Sequence, residues 1–341
     1  MAASEAPPFW WKQADWRPWA LWPLSAVYGL VASARMAGAK RQHVSAAVLC
    51  VGNLTVGGEG KTPIAIALAK EAKRQKRRVG FLSRGYGGHS GGPHLVDRKH
   101  DTPRHVGDEP MLLARHAPTV VSPDRVAGAR KLIAEGCDFI IMDDGFQSAR
   151  LRMDYALIVV DARRGLGNGH VIPGGPLRAP LIDQLRYANG IVTMGDGQAA
   201  MDVVRRAARA GRSVFSAHLK PKGTRALKGA RVLAFAGIGN PDKFYDTLRM
   251  IGAEVVATRS FPDHYPYSED DVAELSAQAE AERLQLVTTE KDLVRLHHGH
   301  GPVRDFAATV RLLPVEAVFE SSGMPERIVA ETVTAWRERS L

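Results

Sequence analysis

The chain has 341 residues, of which 45 % are hydrophobic and 24 % are charged, close to the average of globular proteins. This composition excludes a disordered chain, a collagen-like fibre and a protein with many membrane spans, and the length suits one large domain or two ordinary ones. The two cysteines exclude a disulfide framework and a cysteine-based zinc site, which fits a reducing compartment. The net charge of +10 favours a polyanionic partner, whether nucleic acid, anionic lipid or a phosphorylated substrate.

Tryptophan is concentrated at the N-terminus, where five of the six tryptophans lie within residues 1–22. They overlap a charge-free stretch, 18–34, which as a helix would span about 26 Å, short of a hydrocarbon core of about 30 Å. Indole rings favour the headgroup level, and the flanking basic residues favour anionic lipid. We therefore predict that residues 1–40 form a membrane-associating helix. A helix docked on the protein's own core is the alternative.

From residue 44 onward, short apolar runs alternate with helical patterns, which indicates parallel sheets covered by helices. The predicted strands are 46–51, 78–83, 119–122, 139–143, 155–161, 190–194, 214–218, 232–236, 254–258 and 285–288. The predicted helices are 63–74, 125–135, 243–251, 269–282 and 325–337. A polar stretch, 220–225, separates two such series and predicts a domain boundary.

The strand predicted over 46–51 leads into a glycine-rich segment that ends in Gly60-Lys61-Thr62. The segment is close to the P-loop signature G-x-x-x-x-G-K-[ST], with Thr55 at the usual first glycine, and it has the strand–loop–helix context of that motif. Glycines let backbone N–H groups face phosphate, Lys61 can neutralise the β and γ oxygens, and the Thr62 hydroxyl can ligate Mg²⁺. An ordinary glycine-rich turn is the alternative. The predicted nucleotide-binding residues are Thr55, Gly57, Gly58, Glu59, Gly60, Lys61 and Thr62.

A second apolar strand ends in two carboxylates, Asp143 and Asp144. The carboxyl ends of parallel strands reach the ligand crevice, so we predict that these residues hold Mg²⁺, with Gln147 completing the metal or water shell. A pair of surface aspartates is the alternative. The nearest match to a guanine-reading motif is 288–292, where lysine does not directly follow threonine, so guanine specificity is not supported.

Several motifs occur together in one order, namely Val51-Gly-Asn with Gly57-Gly-Glu-Gly-Lys-Thr-Pro63, Leu82-Ser-Arg84-Gly-Tyr86-Gly-Gly88, His105-Val-Gly-Asp108-Glu-Pro110, Asp143-Asp-Gly-Phe-Gln147, Pro176-Leu-Arg178 and Thr288-Thr-Glu-Lys-Asp292. Over nearly its whole length the chain resembles tetraacyldisaccharide 4′-kinases, the lipid A 4′-kinases of Gram-negative bacteria. The resemblance implies ATP- and Mg²⁺-dependent phosphorylation of the 4′-hydroxyl of a tetraacylated glucosamine disaccharide 1-phosphate, at the cytosolic face of the inner membrane. Such a lipid stays in the bilayer, which agrees with a surface-seeking helix and a positive charge.

The resemblance also implies a catalytic pair. Asp108 matches the family's proposed general base, and His264 matches the histidine that pairs with it. Because His264 lies in the second half of the chain, the pairing requires that half to face the P-loop. On the sequence alone, each residue would be read as a polar surface residue.

Three arginines and one tyrosine are further candidates. Arg84 and Tyr86 follow a strand in a glycine-rich loop, where a guanidinium can contact transferring phosphate; we predict a catalytic role for Arg84 and a substrate contact for Tyr86. Arg125 opens a predicted helix and is a substrate candidate, with capping and loop packing as the alternative. Arg178, also a substrate candidate, lies in Leu-Arg-Ala-Pro where the family usually has Leu-Arg-Glu-Pro, so a carboxylate role there is absent.

We therefore expect an α/β protein with a P-loop NTPase-type parallel-sheet domain and a smaller α/β domain behind an N-terminal membrane-associating helix. The expected segments are the helix (1–40), the P-loop kinase domain (41–212), a connector (213–225), the smaller domain (226–305), and a return connector with the last helix (306–341). We expect 310–319 to run back beside 214–221.

The motifs favour a lipid A 4′-kinase that acts as a monomer, over two alternatives. The first alternative is a membrane-associated P-loop ATPase switch that positions a protein partner, which would not need Asp108 and His264 as a pair. The second is a nucleic-acid-binding module, but the basic residues are dispersed and lack an aromatic-studded motif, so we expect no nucleic acid partner. The basic run 70–78 has two readings, a contact with lipid headgroups and a solvated helix end.

Overall fold

The computed structural model describes residues 6–12, 14–57, 60–85, 91–148 and 150–340. The strands are β1 (Ala47–Asn53), β2 (Val79–Ser83), β3 (His94–Leu95), β4 (Thr119–Val121), β5 (Phe139–Asp143), β6 (Tyr155–Asp161), β7 (Gly190–Met194), β8 (Ser213–Pro221), β9 (Arg231–Ala236), β10 (Glu254–Ser260), β11 (Gln285–Thr288), β12 (Arg311–Leu312) and β13 (Val315–Phe319). The helices are α1 (Arg17–Ala20), α2 (Trp22–Gly38), α3 (Lys61–Arg74), α4 (Pro103–Val106), α5 (Asp108–Leu113), α6 (Arg125–Ala134), α7 (Leu181–Tyr187), α8 (Met201–Arg209), α9 (Pro241–Met250), α10 (Glu269–Ala281), α11 (Glu290–His297), α12 (Pro302–Phe306) and α13 (Met324–Ser340).

The large lobe is built on a nine-stranded sheet in the order β13-β8-β7-β6-β1-β5-β2-β4-β3. Only the two edge strands, β13 and β3, run antiparallel to their neighbours. Strands β1, β5 and β6 are buried along their whole length, as strands covered on both faces should be. The chain leaves β1 towards one side of the sheet and later crosses to β6 on the other, so the carboxyl end of β1 lies at a topological switch point, the usual place for a ligand crevice.

The small lobe is built on a four-stranded parallel sheet in the order β10-β9-β11-β12. Its central strand β9 is buried from Val232 to Ala236, and helices α9 to α12 supply the rest of its apolar core. Helix α10 begins with a capping box in which Ser268 and Asp271 each accept from the other's backbone N–H, so this helix start is fixed locally.

The chain returns to the large lobe after the small one. Strand β13 pairs antiparallel with β8, Phe319 facing Ala217, as expected from the sequence. Strand β8 also pairs with β7, so both strands extend the large sheet. Helix α13 packs Ile328, Val329 and Val333 into the core beneath α3. The predicted strands agree with those observed to within three residues at each end, and the mixed α/β fold class is confirmed; the domain boundaries stay a prediction.

Helix α2 has features of both predictions for the N-terminus, a membrane-associating helix and a helix docked on the protein's own core. Its narrow inner face packs on the large lobe: Ser25 Oγ accepts from the Gly174 N–H at 3.0 Å, and Gly29 lies against Pro180. Its outer face leaves large apolar side chains exposed, namely Trp22, Leu24, Val27, Tyr28, Leu30 and Val31. Within the described residues, no helix is both long and apolar enough to cross a bilayer.

The basic run 70–78 lies at the end of α3 and beyond it. Lys70 pairs with Glu316 at 3.8 Å, Arg74 with Glu71 at 2.8 Å, and Arg78 with Asp138 at 3.9 Å. These partners all belong to the protein's own surface, which favours the reading of a solvated helix end.

Candidate active site

The loop between β1 and α3 is folded back on itself as a phosphate cradle would be. Gly57 and Gly60 have φ angles of +127° and +85°, which glycine adopts at little cost. The buried Asn53 donates from Nδ2 to the Gly57 carbonyl oxygen at 3.1 Å. Lys61 Nζ donates to the same oxygen at 3.4 Å, so the lysine lies over the loop at the N-terminus of α3.

The remaining predicted loop residues are partly described. Thr55 is buried, and its carbonyl oxygen accepts from Arg178 Nε at 3.0 Å. Thr62 is buried in the first turn of α3. Gly58 and Glu59, predicted to bind nucleotide, and Tyr86, predicted to contact substrate, lie outside the described residues.

Strand β5 delivers two carboxylates with different electrostatic environments. Burial, reinforced by the charge of Asp144, raises the pKa of Asp143 to about 7, although Lys61 acts in the opposite direction. Asp143 Oδ1 is buried and has no hydrogen-bond partner among the described residues. Burial also acts to raise the pKa of Asp144, but Lys61, 3.7 Å away, and Arg178 outweigh it and lower that pKa. Asp144 is therefore the internally paired member of the two.

Arg178 and Gln147 hold this edge of the sheet together. Arg178 donates from Nη1 and Nη2 to the two oxygens of Asp144 at 2.8 and 3.1 Å, a bidentate pair. Gln147 Nε2 donates to the Asn53 carbonyl oxygen at 2.8 Å and to Gln184 Oε1 at 3.0 Å. Gln147 thus braces β1 in this structure, whereas Asp143 presents a carboxylate oxygen that nothing described here satisfies.

Two further arginines flank the same crevice. Arg84 is exposed just after β2, and Arg125 is buried at the start of α6, where it donates to the Ser122 carbonyl oxygen at 2.8 Å. Burial and then the charge of Arg84 lower the pKa of Arg125, while Asp144 acts in the opposite direction. The cap of α6 is Asp124, so Arg125 is left for another role than capping.

Asp108 connects the two lobes. It begins α5 in the large lobe and is 5 % exposed. Its Oδ2 lies 2.7 Å from His264 Nδ1 and accepts from Arg295 Nε, also at 2.7 Å, and both partners belong to the small lobe. The hydrogen bond to Asp108 raises the pKa of His264 against the effect of burial. The structure therefore brings Asp108 and His264 together, and their catalytic roles stay a prediction.

Arg295 and Asp292 form the buried support of that pair. Arg295 Nη1 donates to Asp292 Oδ1 at 2.8 Å and to the Gly237 carbonyl oxygen at 2.7 Å. Asp292 is fully buried and also accepts from the Tyr267 hydroxyl at 2.8 Å and from the Gly237 N–H at 3.0 Å. The carboxylate of Asp108 is thus anchored to the centre of the small lobe.

A second contact between the lobes lies beside the first. Lys291 pairs with Glu109, and although burial acts to raise the pKa of Glu109, the Lys291 charge lowers it to about 2. Glu109 in turn contributes to the raised pKa of Asp143. This coupling requires the Asp108–Glu109 segment and the end of β5 to lie near each other, at the edge that carries the P-loop.

Sequence analysis did not assign roles to Lys291, Asp292 or Arg295. Lys291 and Asp292 belong to the motif 288–292, and Arg295 follows that motif three residues after Asp292. The i, i+3 spacing of opposite charges would have indicated a local pair only if a helix had been predicted over 290–297, and none was. The long-range partner of Arg295, Asp108, is 187 residues away in the chain and could not be paired with it from spacing.

The chemistry of the donor set fits Mg²⁺. A buried carboxylate oxygen without a partner, Asp143 Oδ1, lies at the end of β5, and a hydroxyl, Thr62, follows the P-loop lysine. Mg²⁺ prefers such oxygen ligands. The fold and this set of groups define a P-loop protein equipped for phosphoryl transfer.

Comparisons with known proteins agree with a P-loop protein that transfers phosphate, and they indicate one family within that class. The family model for tetraacyldisaccharide-1-P 4′-kinase matches residues 17–333. A tetraacyldisaccharide 4′-kinase of Chelativorans sp. (strain BNC1) is 65 % identical over 341 residues, covering 100 % of this chain and 99 % of the relative. One from Mesorhizobium japonicum is 60 % identical over 340 residues, covering 99 % of each chain.

A solved structure gives the same result. LpxK from Aquifex aeolicus, crystallised in complex with ATP, superposes with a TM-score of 0.71 at 26 % identity, over 94 % of this chain and 99 % of that one. The chain belongs to the tetraacyldisaccharide-1-P 4′-kinase family. The family and the P-loop fold predicted from the motifs are thereby confirmed.

Proposed function

We propose that this chain transfers the γ-phosphate of ATP to the 4′-hydroxyl of a tetraacylated glucosamine disaccharide 1-phosphate, the activity for which its relatives are named. The observation that carries the proposal is the Asp108 carboxylate, which two small-lobe side chains hold beside the carboxyl edge of the large sheet. A nucleotide switch has no use for such a pair, whereas transfer to a sugar hydroxyl requires a group that orients and deprotonates the acceptor.

Asp108 acts as the general base in this proposal. Both hydrogen bonds that the described residues make to its carboxylate end on Oδ2, which leaves Oδ1 to accept the proton of the attacking hydroxyl. His264 and Arg295 hold the carboxylate in one orientation. The hydrogen bond to Asp108 raises the pKa of His264, which favours the imidazolium form beside the carboxylate.

The phosphate side of the reaction belongs to the large lobe. The P-loop backbone and Lys61 bind the β- and γ-phosphates at the N-terminus of α3. Arg84 and Arg125 supply positive charge where negative charge develops on the transferring group. Arg178 acts by holding Asp144, and a substrate contact by Arg178 would have to replace that pair.

Asp143 and Thr62 are the residues that would hold Mg²⁺, with Asp144 close by. When bound, the ion would neutralise phosphate charge and lower the electrostatic barrier to transfer. The missing partner of Asp143 Oδ1 supports this assignment, since a buried carboxylate oxygen without a donor is costly.

The outer face of α2 supports a membrane-bound position for the enzyme. Trp22, Leu24 and Leu30 are 56, 61 and 72 % exposed, and the Arg35 side chain lies at the end of the same helix. An exposed apolar face rich in aromatic residues is typical of helices that lie in the membrane interface. We propose that α2 binds the cytosolic face of the inner membrane, and that a monomer suffices, because one chain supplies every group of the site.

The membrane proposal is tested by vesicle sedimentation of Leu30→Glu. The variant should lose most of its binding to anionic vesicles, since a charge at the interface opposes burial of the helix face. Met250→Glu is the matched control, because Met250 is 78 % exposed on a small-lobe helix and should leave binding unchanged. Equal sedimentation of both variants and the unsubstituted protein would contradict the proposal.

The kinase proposal is tested by transfer of labelled γ-phosphate from ATP to tetraacyldisaccharide 1-phosphate in detergent micelles with Mg²⁺. Asp108→Asn should lower kcat by about 10² to 10⁴, the usual contribution of a general base, while ATP binding survives. Asp270→Asn removes an exposed carboxylate at the start of α10 and should retain full activity. No transfer by folded, ATP-binding protein would refute the activity, and unchanged turnover in Asp108→Asn would refute the base.

A further inference from the structure

Two histidines and an aspartate form a compact cluster just before the Asp108 segment. His94 lies on the edge strand β3, opposite Val121 of β4. His105 lies on the four-residue helix α4, and Asp101 lies in the turn that joins the two elements. One ligand atom from each of the three side chains lies within 4.8 Å of the others, and among the described residues no other group of histidine, cysteine and acidic side chains meets this condition.

The carboxylate lies between the two imidazole rings. His94 Nε2 is 2.6 Å from Asp101 Oδ2, and His105 Nδ1 is 2.7 Å from Asp101 Oδ1. The backbone N–H of Asp97 donates to Asp101 Oδ2 at 2.8 Å, and this hydrogen bond helps to fix the orientation of the carboxylate. Asp101 is 6 % exposed, whereas the side chains of His94 and His105 are 34 and 44 % exposed. The carboxylate is therefore held in place by hydrogen bonds, while both imidazole rings are accessible from solvent.

This donor set selects one class of ion. Two imidazoles and one carboxylate suit Zn²⁺ and its transition-metal neighbours, whereas Mg²⁺ takes all-oxygen sites. Zn²⁺ with three protein ligands keeps a fourth position for water. The part-exposed side chains of His94 and His105 would give that position access to solvent. The N–H of Asp97 would hold the carboxylate in the way that outer hydrogen bonds hold metal ligands elsewhere.

We propose that His94, Asp101 and His105 form a binding site for one divalent transition-metal ion, with Zn²⁺ as its preferred occupant, separate from the Mg²⁺ site of the reaction. The ion clamps β3 to α4. These elements have two and four residues, so they gain little stability from their own hydrogen bonds. Only Val106 and Gly107 separate His105 from Asp108, so the clamp fixes the segment that carries the general base.

The site is tested by calorimetric titration of chelator-treated full-length protein with Zn²⁺ in the presence of excess Mg²⁺. We expect one equivalent to bind per chain. The double variant His94→Gln/His105→Gln keeps hydrogen-bonding groups but removes both imidazole ligands, so it should weaken this binding by about a hundredfold or more. His100→Gln is the matched control: His100 is 80 % exposed in the same segment, pairs with Asp97, and should not change the affinity.

Co²⁺ gives a second readout, because a visible absorption band reports ligation by the protein and should vanish in the double variant alone. Hydrogen exchange should slow across residues 94–108 when Zn²⁺ is added to the unsubstituted protein. Failure of the folded protein to bind one equivalent, or equal affinity in the double variant, overturns the site. Binding without slower exchange overturns the clamp. Because the primary measurement is binding, these outcomes are independent of the kinase activity.

Discussion

Replacing Arg295 by methionine tests the claim that the small lobe holds the base of the large lobe. The substitution keeps most of the side-chain volume and removes the positive charge between Asp108 and Asp292. The Arg295 side chain is 6 % exposed and donates three hydrogen bonds at 2.7 to 2.8 Å, two of them to carboxylates. The change therefore leaves two buried acids without their shared cation.

The expected loss follows from these contacts. Removing one partner of a buried ion pair costs about 3–5 kcal/mol, because the remaining charge is left without compensation. Asp108 retains His264, and Asp292 retains the Tyr267 hydroxyl, so we expect the lower end, about 3 kcal/mol of unfolding free energy. Arg295 positions Asp108 without touching the substrate, so kcat should fall by about ten- to a hundredfold, less than in Asp108→Asn, with little change in KM.

The assay combines urea unfolding, followed by circular dichroism and by hydrogen exchange of small-lobe amides, with phosphate transfer. Arg231→Met is the control, because Arg231 lies on the surface of the same lobe, 49 % exposed, and should change stability by less than about 0.5 kcal/mol. A second variant, Arg295→Lys, keeps the charge and should recover part of the stability but little of the rate. Stability and kcat of Arg295→Met close to those of the unsubstituted protein would refute the reasoning.

Three other predictions concern the same edge of the sheet. The pKa of His264 is raised in the folded protein, so the stability that His264 contributes is complete below its unfolded pKa of about 6.5 and is lost as the pH rises through its folded pKa. The difference in unfolding free energy between the unsubstituted protein and His264→Gln, measured by urea titration, should therefore shrink from about pH 6 to pH 9. An equal gap at both ends would contradict this. Gly60→Ala places a Cβ at φ +85° and 3.1 Å from Met194 Cγ, and should cost about 1–2 kcal/mol and weaken ATP binding measured by calorimetry, whereas a neutral result would show that the loop can rearrange. Arg178→Lys cannot reproduce the bidentate pair with Asp144 and should lower kcat/KM at least about tenfold, with unchanged kinetics as the contrary outcome.

The apolar strands were the part of the fold that the sequence specified best. Strands β5, β6, β7 and β11 have the predicted bounds, because each is a continuous apolar run that ends at a polar residue or turn. Short or polar elements were missed. Helix α5 was not predicted, since its six residues include Pro110 and show no helical period. Helices α7, α8 and α11, of seven to nine residues, were also not predicted.

The residues of the candidate site also fall into those that the sequence could predict and those that it could not. Motifs local in the chain, such as the P-loop and the Asp143–Asp144 pair, could be located from spacing, because strand order brings their ends to one edge. Contacts between the lobes could not be located, since no local rule connects Asp108 to Arg295. The pairing of Asp108 with His264 was available only through resemblance to a family. The environment of Asp144 was likewise out of reach, because Arg178 reaches it across 34 residues of chain.

The packing of α2 on the large lobe fixes the distance between the active site and the lipid bilayer. The helix rests on the segment 174–183 through Ser25, Gly29 and Ser33, whose Oγ lies 2.6 Å from Asp183 Oδ2. Arg178, which grips Asp144, lies in the middle of that segment. With α2 in the membrane interface, as proposed, this segment works as a rigid spacer of fixed thickness. The enzyme would then select substrates by the distance of the acceptor hydroxyl from the bilayer. A headgroup one sugar longer or shorter would not place its hydroxyl next to the γ-phosphate of ATP, even if its chemistry were identical.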